Sequence, residues 1–413
     1  MYSMSSCILS AFGLEQYSEY LKVFSFCFIV FSFINYRPKS YLLYHQSYLN
    51  VLLYIYISLY IIAVARGFDL RQRSSDISTR RWLIQIITDK YYILWGILPM
   101  MAMTISRTFN LSRLIPVIEV LCLFSIVSIG LNLEKIVHLA YSLYFQSEGT
   151  IYSVAFAYIF DVIAFFIIGL SYVKGKKYHF IIILTFIVTI LTRILLARRG
   201  DVLMLSLLFI FMVLSYRFKN KYIKILRIAL IFICIAIFAM LIMQTDIPSI
   251  LLYRGMVDTR SGVDEALISS MTTSDFIFGK GINGSYYYNL GGDIDDIYGG
   301  QRYMSETGFF TLVLKGGILM AAVYILLWLI PAFMGIFKSK NIFCKFIGLY
   351  LFWNVLYLYP FGNPEFSFNQ LFVWVLAGIV SSPVIRILSD EQIKTIYFSQ
   401  NSQEFFIGYF RMG

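Results

Sequence analysis

Charge is what this sequence has least of. Only 14% of its 413 residues are Asp, Glu, Lys or Arg, while 59% are hydrophobic. A soluble chain of this size needs roughly a quarter of its residues charged, so a soluble globular fold is excluded. Histidine is almost missing, with three in the chain (His45, His138, His179). The five cysteines, Cys7, Cys27, Cys122, Cys234 and Cys344, lie in or beside apolar runs. Neither set has metal-ligand spacing, and no disulfide framework is visible. The opening MYSMSSCILSAFGLEQY lacks a basic n-region and makes a poor signal peptide. No internal repeat or low-complexity tract occurs. Strict alternation of apolar and polar residues is also lacking, which argues against a membrane β-barrel.

What is present is a series of continuous apolar runs, with a mean hydropathy of +0.74. Their lengths predict an all-α, polytopic transmembrane bundle. About eleven spans are expected, near 18–35, 48–65, 91–106, 114–131, 151–172, 178–196, 201–217, 226–245, 309–334, 343–360 and 368–388. Residues 1–245 and 306–413 then form two parts of the bundle, separated by a large hydrophilic loop at 246–305. The net charge of +11 is expected to meet anionic lipid rather than nucleic acid.

Lysine and arginine asymmetry orients the chain. The loop RFKNKYIKILR at 217–227 is expected on the cytoplasmic side, with VKGKKYH (173–179) and FKSKNIFCK (337–345). The large loop then lies outside. One segment breaks the pattern: 66–90 holds Arg66, Arg71, Arg73, Arg80, Arg81 and Lys90, yet alternation places it outside. Either an early span is miscounted or these residues serve a ligand.

Arg198, Arg199, Gly200 and Asp201 sit where two apolar runs almost touch, on the lysine-poor face. Snorkelling to headgroups is one reading. The other is an anion site, since guanidinium groups grip phosphate oxygens in bidentate fashion. Arg193, one turn deeper, favours the second.

The pattern of apolar helix, ARRGD and apolar helix resembles the small-Arg-Gly motif of the bacterial O-antigen polymerase family and, more distantly, of O-antigen ligases. DFIFGKGINGSYY (275–287) resembles that family's Gly-x-Gly segment. YMSETGFFTLVLKGGILMAAVYILL (303–327) resembles the stretch leading into its next span. The resemblance covers about 180–335 by motif and the rest by span count. It implies a glycosyltransferase of the bacterial inner membrane, facing the periplasm or exterior. Its substrates would be polyprenyl-pyrophosphate-linked oligosaccharide repeat units, joined into lipopolysaccharide O-antigen or capsule. It implies no cofactor, and as partners membrane lipids, a chain-length regulator and a flippase. A ligase and a polysaccharide flippase or transporter are the competing readings. The ligase reading is weakened because no histidine occurs in 246–305.

On this resemblance Arg198 and Arg199 stabilise the departing pyrophosphate, supported by Arg193. Arg66, Asp69 and Arg71 form a candidate second phosphate site, and Arg254 and Arg260 are further anion contacts. Gly279 and Gly281 are expected to let backbone approach a phosphate. Tyr287, among the tyrosines 286–288, 298 and 303, offers a face for sugar or an interfacial anchor. Glu306 is either the base that accepts the attacking hydroxyl's proton or a cap for the helix starting near Gly308. Asp293, Asp295 and Asp296 lack calcium-loop spacing, and no metal site is expected. Glu119 and Asp161, within spans, are candidate ion sites or helix-to-helix hydrogen-bond partners.

Overall fold

The computed structural model describes residues 47–67, 111–131, 176–195, 261–288, 300–305, 307–359 and 368–398, with isolated positions between 133 and 211. These are 83% helical. They fall into two compact units.

The first unit contains α1 (Ser47–Arg66), α4 (Ser261–Ser269), α5 (Thr273–Phe278), a hairpin of β1 (Tyr286–Tyr287) and β2 (Gln301–Arg302), α6 (Gly308–Lys338), α7 (Ile342–Tyr357), α8 (Phe368–Ser381), α9 (Pro383–Ile387) and α10 (Asp390–Phe398). Among the described residues, two helices are long and apolar enough to cross a membrane, Leu49–Arg66 within α1 and all of α6. Together they point to association with a membrane.

Helix α1 contains no glycine or proline, and Arg66 in its last turn suits the negative end of the helix dipole. One stripe (Leu49, Tyr56, Tyr60, Ala63) is buried, yet Val51, Tyr54, Ile55, Ile61 and Ile62 on other faces are exposed. A helix apolar all round is built for lipid or for a deep core.

Helix α6 departs from the single span expected at 309–334. Gly317, at φ 73° and ψ 179°, breaks it into a short first limb and a long second one. The second limb, Ile318–Lys338, is about 32 Å long at 1.5 Å per residue, close to the hydrocarbon thickness of a bilayer. Helix α7 returns along α6, since the Phe309 amide donates to the Leu358 carbonyl at 3.1 Å. The two helices meet backbone to backbone. A Cβ on Gly348 would lie 2.7 Å from the Ala332 carbonyl oxygen, and one on Gly335 would lie 2.9 Å from the Gly348 Cα. Small residues at such crossings are how membrane helices pack closely.

The span expected at 368–388 is likewise two helices. The chain turns extended at Ser382, and Pro383 opens α9, because proline fits a first turn but not a helix interior. Tyr324, Trp328 and Trp374 form an aromatic core, with Tyr324–Trp328 centroids 4.7 Å apart and Trp328–Trp374 5.5 Å. Tyr56 of α1 joins it at 5.8 Å from Tyr324. At the far end of α6, Asn341 caps α7 by accepting from the Cys344 amide. Its own amide nitrogen lies within hydrogen-bond distance of the carbonyls of Ile385, Arg386 and Leu388.

The second unit holds α2 (Leu111–Leu131, from Ile115 onward) and α3 (Lys176–Leu195), matching the expected spans at 114–131 and 178–196. Thr185, Thr189 and Thr192 bury their hydroxyls by donating to the carbonyl four residues back. Glu119 is ion-paired with Lys177, so this partly buried acid is countered by a lysine at the helix end.

The expected spans at 18–35, 91–106 and 226–245 lie outside the described residues. Those at 151–172 and 201–217 are described only at isolated positions.

Candidate functional site

Three of the candidate residues meet at one place, the end of α1. The α6 kink creates the opportunity. Gly317 interrupts the helical ladder and leaves carbonyls ahead of it without their usual partners. The Lys280 amide donates to the Leu314 carbonyl at 2.8 Å and the Gly281 amide to that of Lys315 at 3.2 Å. Next along, the Ile282 amide donates to the Ala63 carbonyl at 2.9 Å, in the last turn of α1. The Asn283 side chain donates to the Gly67 carbonyl at 3.1 Å. Residues 279–283 therefore lace the end of α1 to the bend in α6.

Glycine is required at both candidate positions. Gly279 has φ 76° and Gly281 φ 94°, the left-handed region that other residues avoid. A Cβ on Gly281 would strike the Gly67 backbone, and one on Gly279 would strike Lys315 and Gly316. Both glycines stand against the chain's own backbone.

Arg66 has all three guanidinium nitrogens engaged. Nε donates to the Gly279 carbonyl at 2.8 Å, Nη1 to Ser274 Oγ at 3.3 Å and Nη2 to Asp275 Oδ1 at 2.7 Å. Asp275 also closes a capping box with Thr272 at the start of α5. Partial burial pushes the Asp275 carboxyl up, but the Thr272 hydroxyl, the Thr272 amide and Arg66 together hold it below the ordinary carboxylate range.

Lys280 stands between the two glycines and was not singled out from sequence. Its ammonium donates to Ser270 Oγ at 2.9 Å and to the Ser285 carbonyl at 3.1 Å. Burial depresses its pKa, and the nearby Asp275 charge opposes that. The alternation GKG was the only signal for it.

Beside this lacing, Val263, Leu267, Tyr286 and Leu314 make a small core under α4 and the hairpin. The hairpin pairs Tyr286 with Arg302 and Tyr287 with Gln301. The three tyrosines separate by role. Tyr286 is buried, Tyr288 lies under the Arg302 guanidinium at 5.5 Å, and Tyr287 is 61% exposed. Tyr303, half-exposed, is a second outward ring.

The start of α6 is held by buried hydroxyls. Thr307 is the N-cap, accepting from the Phe310 amide at 3.3 Å. Thr311 Oγ1 donates within reach of the Ser305 and Thr307 carbonyls, and Ser305 Oγ donates to Asp264 at 3.2 Å. Thr307 thus fills the N-cap position of α6.

Glu306 itself, Arg198, Arg199, Asp69, Arg71, Arg254 and Arg260 lie outside the described residues, as does the side chain of Arg193. By position, Arg193 lies sixteen residues along α3 from Lys177, roughly 24 Å away at helical rise. Among the described residues no cluster of His, Cys, Asp or Glu is arranged to hold a metal ion. No protein-family model matches the chain, and neither a curated protein nor a solved structure matches it.

Proposed function

We propose that the chain is a membrane glycosyltransferase that polymerises polyprenyl-pyrophosphate-linked oligosaccharide repeat units into O-antigen or capsular polysaccharide. One observation carries this reading. The two segments that resemble the O-antigen polymerase family, 275–287 and 303–327, dock on each other at the end of α1, with Arg66 bound to the first.

The proposed topology has about eleven spans in a bacterial inner membrane, with 246–305 outside. Support comes from the lysine-poor character of that side and from the contacts of Gly67 with residues 281–283. Gly67 stands at the start of the basic 66–90 segment, which the proposal puts on the same side as 246–305.

In the proposed reaction the terminal sugar hydroxyl of one lipid-linked unit attacks the anomeric carbon of the growing chain. A new glycosidic C–O bond forms, the bond from that carbon to pyrophosphate breaks, and the carrier leaves as polyprenyl pyrophosphate. Arg198 and Arg199 stabilise the charge on the leaving group, where exclusion of water makes preorganised cations most effective. Glu306, immediately ahead of the α6 cap, takes the hydroxyl proton. Tyr287 offers an exposed ring to the glycan.

The test is reconstitution of the purified chain in liposomes with a lipid-linked repeat unit. A ladder of lipid-linked polymers supports polymerase. Transfer of preformed polymer to a lipid A core acceptor without laddering means ligase. Movement of substrate across the bilayer without new bonds means flippase.

A further inference from the structure

The far end of α6 holds a buried cation with two of its three nitrogens unbonded. Arg386, on α9, is 5% exposed, and its Nε and Nη1 are both enclosed without a hydrogen-bond partner. Unbonded donors on a buried guanidinium are among the costlier features a fold retains.

The neighbouring polar side chains bond to backbone groups. Asn341 is spent on the carbonyls of α9 and on capping α7. The Ser339 hydroxyl donates to Met334 and that of Ser381 to Ala377. Asp390 receives the Ile342 amide at 2.7 Å. The Arg386 carbonyl accepts the Lys340 amide at 2.8 Å, so the basic 338–340 turn is laid directly on this residue. Lys338 and Lys340 are exposed there, and Lys345 is half-buried on the first turn of α7.

We propose that Arg386 is the buried anchor of a phosphate-binding site at this end of α6, one that takes the phosphate of an anionic lipid headgroup. Guanidinium and ammonium groups are the side chains that recognise phosphate. The apolar approach to the site favours lipid over the free anion. Phe333 and Phe337 stack at 5.5 Å on the outer face of α6, exposed by 52% and 71%, immediately before Lys338. An apolar strip ending in lysines at the terminus of a membrane-length helix places acyl chains on the rings and the headgroup at the charges.

The full chain, purified in neutral detergent, is titrated with phosphatidylglycerol, phosphatidylcholine and inorganic phosphate. Binding is read from the thermal midpoint and from lipid adducts in native mass spectra. Phosphatidylglycerol is expected to raise the midpoint and persist as an adduct, and phosphatidylcholine to do neither. Arg386→Gln is expected to weaken the apparent affinity about tenfold, and the Lys338→Gln/Lys340→Gln double variant to weaken it less. An equal response to inorganic phosphate supports the site with the free anion as its ligand. Equal behaviour of wild-type protein in all three titrations overturns it, and means that water fills the enclosure. So does an undiminished phosphatidylglycerol response in Arg386→Gln. Should that variant not fold, the double variant decides, and wild-type affinity in it overturns the site.

Discussion

The Asp275 carboxylate does two jobs, since it caps α5 and holds Arg66. Its lowered pKa gives that arrangement a pH signature. A carboxyl whose folded value is depressed contributes stability that is complete above the unfolded value, about pH 4. The contribution is lost as pH falls through the lower folded value. Wild-type protein in detergent should therefore lose thermal midpoint below about pH 4 by a component missing in Asp275→Asn. At neutral pH that variant should be destabilised by about 1–2 kcal/mol, since the pair is partly exposed and screened. An identical acid profile in both proteins would show that the Arg66–Asp275 contact carries no stability. Asn341 makes the opposite case, being buried and neutral. Replacing it with Ala removes the side-chain partner of the Cys344 amide and of the Ile385 and Leu388 carbonyls. A loss of about 1–3 kcal/mol is expected, read as a lower midpoint in a thermal melt. A silent Asn341→Ala would mean that water takes over those bonds.

At the scale of elements, the helices were legible in the sequence and their interruptions were not. Unbroken apolar runs fixed α1, α2, α3, α6 and α7 to within a few residues, because in lipid the backbone has no alternative to a helix. The bend at Gly317 was hidden for a reason. Glycine is ordinary in membrane helices, and Gly316–Gly317 gives no hint that the carbonyls ahead of it are taken by residues 280 and 281. Long-range contacts of that kind leave no local periodicity. Pro383 was a visible breaker, yet the apolar run carried on past it. The site was legible in the same uneven way. The sequence suggests phosphate chemistry for Arg66, Gly279 and Gly281, and the structure records contacts of all three with the protein itself. Two substitutions test the element-scale account. Gly317→Ala removes the residue suited to φ 73° and sets a Cβ against Ile277. It should straighten α6, detach 279–281 and open the lacing to protease. Gly348→Val should push α7 off α6 and lower the thermal midpoint more than Gly348→Ala, since the neighbouring atoms are backbone and yield little. Equal behaviour of Ala and Val there would sink the close-packing account.

For the whole molecule, the polarity of α6 separates two chemically different ends. One end has the Gly-x-Gly lacing, the hairpin and the end of α1; the other has Lys338, Lys340 and Arg386. If these ends face opposite sides of a membrane, a cysteine probe at Ser285 should react in intact cells and one at Lys340 only after permeabilisation. Labelling of both in intact cells would remove the proposed topology. The polymerase reading makes a sharper demand on the residues that carry its chemistry. Arg198 and Arg199 lie between two apolar runs of the sequence, and the proposal puts them on the lysine-poor side and gives them the pyrophosphate. A guanidinium presents a planar fork of donors and an ammonium a single point of charge, so charge and geometry can be separated. Alanine at Arg199 should abolish the polymer ladder, and lysine there should restore only part of it. Snorkelling to headgroups asks for charge alone, so under that role lysine would restore the full ladder. The measurement is the ladder formed by each variant in liposomes containing the lipid-linked repeat unit, normalised to inserted protein. Complete ladders from both Arg198→Ala and Arg199→Ala would falsify the anion-site role and leave the reaction without its leaving-group stabiliser.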